Sequence, residues 1–137
     1  MRTVFADSLY FIALLLRDDQ WYEASLQAGR EVIRTGRLVT TYDVLTEVLA
    51  SVSRGRPEIR IAAARSVRSI MVNENIILVP QSIDLFTRGL ELYAGRPDRR
   101  YSLTDCISMT VMRDRDITEI LTHDRDFENE GFIRLIK

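Results

Sequence analysis

Short runs of apolar and β-branched residues alternate along the chain with longer segments of helical periodicity. Runs of four or five such residues between turn-forming residues are typical of buried strands, whereas apolar residues spaced three and four apart predict helices. The predicted strands are Thr3–Ala6, Leu38–Thr41, Ile76–Val79, Glu119–Thr122 and Phe132–Ile136. Strands that alternate with helices in this way predict a layered α/β domain.

Capping and helix-breaking residues bound the predicted helices. Gly36 is suited to a helix C-terminus, Pro57 to a first helical turn and Ser82 to an N-cap. The predicted helices are Ser8–Leu16, Gln20–Thr35, Tyr42–Ser53, Pro57–Asn73, Ser82–Ala94 and Ser102–Arg113. Aromatic residues on the first two helices fit either the core, which we favour, or a groove for a partner.

Length and composition indicate one ordinary globular domain over residues 1–137. The chain is 46% hydrophobic and 28% charged, with no linker or internal repeat. No apolar stretch reaches the roughly 18 residues that span a bilayer, and the first residues lead directly into a strand. We therefore expect a cytoplasmic protein without a signal peptide or membrane contact. The single cysteine, Cys106, is expected to be a small buried side chain on a helix.

The net charge of −1 predicts no general attraction to nucleic acid, so any such binding must come from local patches. All basic residues except Lys137 are arginines, whose planar guanidinium groups match phosphate. One segment contains five of them, Arg54, Arg56, Arg60, Arg65 and Arg68. It is either a phosphate-contacting surface or a solvated helix face, and the second interpretation is the more common one for a run of charges.

Four acidic residues occupy positions where a carboxylate is unusual. Asp7 and Asp124 follow predicted strands, and ligands bind at the carboxyl edge of a parallel sheet. Glu47 and Asp105 lie on apolar helices, where an ionised group is costly without a cation. Asp7 could instead be an N-cap, and Ser102 with Asp105 has the form of a capping box. No basic residue lies within a helical turn of Glu47 to pair with it.

Two residues beside Asp124 leave the assignment at this position open. Asp126 is either a further ligand or a solvent-facing cap. His123, the only histidine, could be a general base, but neighbouring strand residues point to opposite faces, so we expect it to diverge from Asp124.

Four carboxylates without a dependable nucleophile favour a hard divalent cation, Mg²⁺ or Mn²⁺, over zinc. Such ions activate water and neutralise charge at a phosphate, so phosphodiester hydrolysis is the predicted reaction class. No glycine-rich phosphate loop is present.

The segments that contain these acids resemble the PIN domain family. They are Val4–Ser8, Val44–Leu49, Tyr101–Cys106 and Leu121–Phe127, the last followed by Gly131 and Phe132. The resemblance covers essentially the whole chain. It implies a three-layer α/β/α sandwich with a central, mostly parallel sheet of about five strands, and a metal-dependent ribonuclease. Asp126 stands where many relatives have a non-acidic residue.

The resemblance also implies a site and partners. Asp7, Glu47, Asp105 and Asp124 would be the catalytic, metal-binding residues, and the products would have a 5′-phosphate and a 3′-hydroxyl. Compact prokaryotic members are often VapC-type toxins, so we expect an RNA substrate, a cognate antitoxin protein and a homodimer. Ser8 and Thr104 match polar neighbours that hold water or phosphate. We further expect arginines near the pocket, such as Arg113 and Arg125, to hold flanking phosphates.

Three other functions stay open at this stage. The first is an RNA-processing nuclease that is not a toxin, and the second is a catalytically silent PIN fold used for binding. The third, a phosphoacceptor receiver domain, also places acids at strand ends. A receiver requires an acidic pair at the first strand and a late lysine, whereas Ser8 follows Asp7 and Lys137 is terminal.

Overall fold

The computed structural model describes all 137 residues as a single parallel sheet surrounded by helices. The strands are β1 (Arg2–Ala6), β2 (Gly36–Thr41), β3 (Ile76–Val79), β4 (Glu119–Leu121) and β5 (Ile133–Arg134). The helices are α1 (Ser8–Leu15), α2 (Tyr22–Thr35), α3 (Tyr42–Ser51), α4 (Pro57–Val72), α5 (Ile83–Gly95), α6 (Leu103–Asp114) and a 3₁₀ helix, Arg125–Glu130. The predicted three-layer α/β/α fold with about five strands is confirmed.

The strands lie in the order β3-β2-β1-β4-β5, and every neighbouring pair is parallel. The chain adds β2 and β3 on one side of β1 and then returns through α5 and α6 to add β4 on the other side. The order therefore reverses between β1 and β4, and a crevice opens at the carboxyl ends of these two strands.

Helices cover both faces of the central strand. Val4, Phe5 and Ala6 are consecutive and fully buried, although consecutive strand residues point to opposite faces. α2 packs against β1, β2 and β4, while α4 packs against β3. The aromatic residues Tyr10 and Phe11 of α1 are buried, which confirms the preference for a core position there.

Most predicted boundaries lie within two residues of the observed ones, and the sheet's edge shows the largest difference. The last strand was predicted over Phe132–Ile136, but β5 contains two residues. Phe132 N donates instead to Phe127 O, which closes the 3₁₀ helix, and Gly131 takes the left-handed conformation with φ of 90°. Backbone bonds from Leu135 and Ile136 to β4 and Thr122 still continue the edge.

Cys106 is a fully buried residue of α6, as predicted. Burial, with the nearby charge of Asp105, raises the pKa of its thiol to about 11. No helix in the structure has the combined length and apolar character that a membrane crossing requires.

Gly36 is the first residue of β2 and follows α2 directly. Its backbone passes very close to β1. A Cβ atom at this position would lie 2.0 Å from the carbonyl oxygen of Arg2, which pairs with Gly36 across the sheet. The sequence predicted only a helix end here. The structure shows that the close approach of the strand also requires glycine.

We expect Gly36→Ala to destabilise the fold by at least about 2 kcal/mol, because the backbone of a central strand pair must shift. Gly95→Ala is the matched control, since a Cβ atom there has nothing within 4 Å. Urea denaturation of both variants measures the difference. Equal stability of the two variants would contradict the steric explanation.

Candidate active site

Asp7 lies at the point where the strand order reverses. It follows β1 and occupies the N-cap position of α1, as the alternative interpretation expected, but its side chain makes no capping hydrogen bond. Its Oδ2 atom instead accepts a hydrogen bond of 2.8 Å from Thr122 Oγ1, just beyond β4. This bond joins the ends of the two strands that form the crevice.

The second oxygen of Asp7 has no partner in the protein. The residue is 2% exposed, and Oδ1 is a buried atom without a hydrogen bond. A buried carboxylate oxygen without a donor is costly, and such an atom indicates a missing ligand or a bound proton.

Glu47 of α3 and Asp105 of α6 converge on Asp7. One carboxylate oxygen from each of the three residues lies within 4.8 Å of the others, and we call this group the acidic triad. Ser8 Oγ donates a short hydrogen bond to Glu47 Oε1, which fixes the Glu47 side chain beside the end of β1. The structure therefore brings together three of the four predicted site acids.

Asp105 has two roles in the structure. Ser102 Oγ accepts from the Asp105 N–H and Asp105 Oδ2 accepts from the Ser102 N–H, both at 3.0 Å, so the predicted capping box is present. The capping box holds the first turn of α6 in place and thereby directs Asp105 to the triad. Asp105 therefore caps α6 and belongs to the acidic triad at the same time.

Asp124 lies near the triad but outside it. β4 ends at Leu121, so Asp124 does not follow the strand immediately as predicted. Its Oδ1 accepts from the Asp126 N–H at 2.9 Å and caps the 3₁₀ helix. Its negative charge is nevertheless close enough to raise the pKa of Asp105. Asp126 is half-buried, and Asp124 likewise contributes to its raised pKa, after burial.

Burial and repulsion between neighbouring acids disfavour the charged forms of Asp7 and Asp105. Burial, followed by the charge of Asp105, raises the pKa of Asp7 to about 7, against the lowering effect of Thr122. Burial also raises the pKa of Asp105 to about 6, with Glu47 and Asp124 adding to the effect. No ion pair in the structure involves a triad residue, so no side chain neutralises the cluster.

These features fit a divalent cation with oxygen ligands. The donor set consists of carboxylates alone, as Mg²⁺ and Mn²⁺ prefer. A cation could be coordinated by the unpartnered Asp7 Oδ1. It would also offset the repulsion that contributes to the raised pKa values of Asp7 and Asp105. Asp7, Glu47 and Asp105 are the residues that could hold it, with Asp124 adjacent.

His123 is occupied by a stacking contact. Its ring lies parallel to Trp21, with 4.6 Å between the ring centroids and 8° between the planes. Burial lowers its pKa below the ordinary value. The histidine therefore packs the loop after β4 against the start of α2, while Asp124 caps the 3₁₀ helix.

A second polar cluster, which no sequence pattern indicated, lies beside the site. Glu130, with a side chain only 6% exposed, accepts hydrogen bonds from Arg96, Arg113 and Tyr101, with shortest distances of 3.0 Å. Although burial acts in the opposite direction, these bonds lower the pKa of Glu130 to about 2. We call these four residues the Glu130 cluster; they join the 3₁₀ helix to the loop between α5 and α6.

The Glu130 cluster changes the expectation for the arginines. Arg113 donates to Glu130, and its guanidinium carbon lies 5.4 Å from the centroid of the Phe132 ring. We had expected this guanidinium to hold a phosphate, but in the structure it is already paired. Arg125 is exposed. The five arginines between positions 54 and 68 are exposed, and Arg60 bonds to Ser53 O at 2.6 Å, which fits a solvated face.

Comparison with known proteins identifies the relatives of this fold. A family model described as PIN domain matches residues 4–132. The fold is similar to VapC20 from Mycobacterium tuberculosis, described as a Sarcin-Ricin loop cleaving toxin, with a TM-score of 0.85 and 22% identity over 95% of this chain and 96% of that chain. It is also similar to VapBC2 from Rickettsia felis bound to a DNA fragment from their promoter, with a TM-score of 0.67 and 10% identity over 96% of each chain.

At these identities the likeness to the solved structures concerns the fold alone. A search of curated protein sequences gave no significant match. The family match over almost the whole chain excludes the receiver-domain alternative.

We expect Asp7→Asn to stabilise the metal-free protein at pH 8. The pKa of Asp7 rises from an ordinary 3.8 to about 7 on folding, so the folded state binds the proton more tightly and wild-type stability falls as pH rises from about 4 to 7. Asparagine removes this loss, which is at most about 4 kcal/mol for such a shift. Urea denaturation of wild type and variant in EDTA, at pH 5 and pH 8, measures this difference in the free energy of unfolding. A variant that is less stable than wild type at pH 8 would show that the Asp7 carboxylate has a structural role.

Proposed function

The chain belongs to the PIN domain family, and on this basis we propose that it is a metal-dependent endoribonuclease and the toxin of a toxin–antitoxin pair. The observation that most supports the proposal is the acidic triad at the crevice between β1 and β4. Three carboxylates from separate elements converge there without a cationic partner. A fold maintained only for binding has no need for such a costly arrangement, which argues against a catalytically silent protein.

The site residues have distinct roles in this proposal. Asp7, Asp105 and Asp124 would hold Mg²⁺ or Mn²⁺, and Glu47 would complete the ligand set or orient the attacking water. When bound, such an ion neutralises phosphate charge and lowers the pKa of water. Thr122 fixes the orientation of Asp7 through the 2.8 Å hydrogen bond. Ser8 does the same for Glu47, so the attacking water would meet an acceptor of defined position.

The described activities of similar structures support the toxin assignment. The Mycobacterium tuberculosis protein is described as a Sarcin-Ricin loop cleaving toxin, and its fold covers this chain almost completely. The Rickettsia felis structure is described as VapBC2 bound to DNA from their promoter, which supports an antitoxin partner for this chain. A processing nuclease that is not a toxin would use the same site, and only its cellular effect distinguishes it.

A homodimer remains part of the proposal. Exposed apolar side chains recur on α5 at alternating spacings of three and four, as at an interface between helices. They are Ile83, Phe86 and Leu90.

We expect the protein to cleave single-stranded RNA with Mg²⁺ or Mn²⁺ and to lose this activity in excess EDTA. Asp7→Asn and Asp105→Asn should each lower the rate by at least about 100-fold, because each removes a charged ligand. Glu58→Gln is the matched control, since it removes an exposed acid on α4. A denaturing gel of labelled RNA measures cleavage, and equal cleavage in EDTA would contradict the metal mechanism.

We expect induced expression in a bacterial host to arrest growth, and the Asp7→Asn variant at equal abundance to leave growth unchanged. Co-expression of an adjacent small open reading frame, where the genome has one, should restore growth to the wild-type strain. Growth curves with immunoblots measure both effects. Normal growth with a protein that cleaves RNA in the purified state would favour the processing nuclease.

A further inference from the structure

A second surface beside the acidic triad has the features of an anion-binding site. The loop of residues 96–102 connects α5 to α6 and leads directly into the capping box that positions Asp105. It contains three arginines and borders a cavity of about 220 Å³. The residues that line this cavity are Tyr93, Arg96, Pro97, Arg99, Arg100 and Tyr101.

Two of these arginines are available for a ligand. Arg99 and Arg100 are exposed, and neither forms an ion pair. Arg96, by contrast, donates to Glu130 at 3.0 Å. The cavity therefore has one arginine that maintains the structure and two whose guanidinium groups are not neutralised.

The Glu130 cluster fixes the loop at both ends. Arg96 lies at its beginning and Tyr101 near its end, and both donate to the nearly buried carboxylate of Glu130. Arg99 N also donates to Arg96 O at 3.0 Å, which closes a turn between them. Arg99 and Arg100 therefore belong to a defined surface, so less entropy is lost when a ligand is bound.

The loop lies next to the acidic site. Tyr101 of the loop donates to Glu130, the last residue of the 3₁₀ helix that Asp124 caps, and Ser102 exchanges hydrogen bonds with Asp105. Asp105 follows Arg100 by five residues. Arg99 and Arg100 directly precede Tyr101 and Ser102 on this loop, so we expect a polyanion with one phosphate at the triad to place a neighbouring phosphate near them.

We propose that Arg99 and Arg100 form a substrate-binding subsite for a phosphodiester group of single-stranded RNA adjacent to the bond that is cleaved, with Tyr93 beside it as a surface for a base. The inference rests on the proposed ribonuclease function, which supplies the substrate class. Arginine binds phosphate through paired N–H donors, and an aromatic ring stacks on bases of any identity. The subsite therefore contributes affinity and register, while the triad performs the chemistry.

The test compares Arg99→Gln/Arg100→Gln with Arg30→Gln/Arg115→Gln, a control that removes the same charge. Arg30 and Arg115 are exposed and unpaired, and Arg115 lies at the opposite end of α6 from Asp105. Fluorescence anisotropy with a labelled single-stranded oligoribonucleotide in EDTA measures binding without cleavage. We expect Kd to rise about 10-fold and the slope of log Kd against log salt to fall by about 0.7, for one lost phosphate contact on a single strand.

A Kd and salt slope equal to those of the control would overturn the subsite, as would no RNA binding by the wild-type protein. Tighter binding of duplex DNA than of RNA, lost in the same variant, would overturn the assignment to RNA. A parallel cleavage assay with Mn²⁺ separates the two proposals. Cleavage that is unaffected by the double substitution would refute the subsite alone, whereas reduced binding without any cleavage by wild type would refute only the nuclease function.

Discussion

The constraint to which the rest of the structure must adapt is a carboxylate placed in the core without a cation beside it. Asp7 ends the central strand, is 2% exposed and receives one hydrogen bond, from Thr122, to one of its two oxygens. The surrounding sheet and helices provide the burial energy that offsets this cost, since Val4, Phe5 and Ala6, which precede Asp7, are apolar and fully buried. Stability and chemistry are opposed at this residue, as is common where a protein prepares a site for a charged ligand.

Much of the fold could be predicted from the sequence because its signals are local. Apolar runs determine β1, β2 and β3, and Ser82 and Ser102 mark helix starts with their own side chains. The acids of the triad were identifiable for a related reason. A carboxylate on an apolar helix face, such as Glu47, conflicts with its local environment, and such conflicts are typical of functional positions.

The features that the sequence did not predict arise from contacts between distant segments. Thr122 was assigned to a strand, and only the juxtaposition of β1 and β4 makes it the partner of Asp7. The Glu130 cluster joins residues 17 to 34 positions apart, and no periodicity marks it. His123 could not be assigned, because its position depends on where Trp21 lies. The grouping of Arg96, Arg99 and Arg100 around one cavity likewise depends on the conformation of their loop, which the sequence does not reveal.

The hydrogen bond between Thr122 and Asp7 spans 115 residues of sequence, and this separation has a consequence for synthesis. Translation produces β1 long before β4, the strand that completes the crevice. Contacts of such long range form late, since the intervening chain must first be ordered. A nascent polypeptide that has not yet produced β4 consequently has no partner to orient Asp7, and the crevice is assembled only after that strand has emerged.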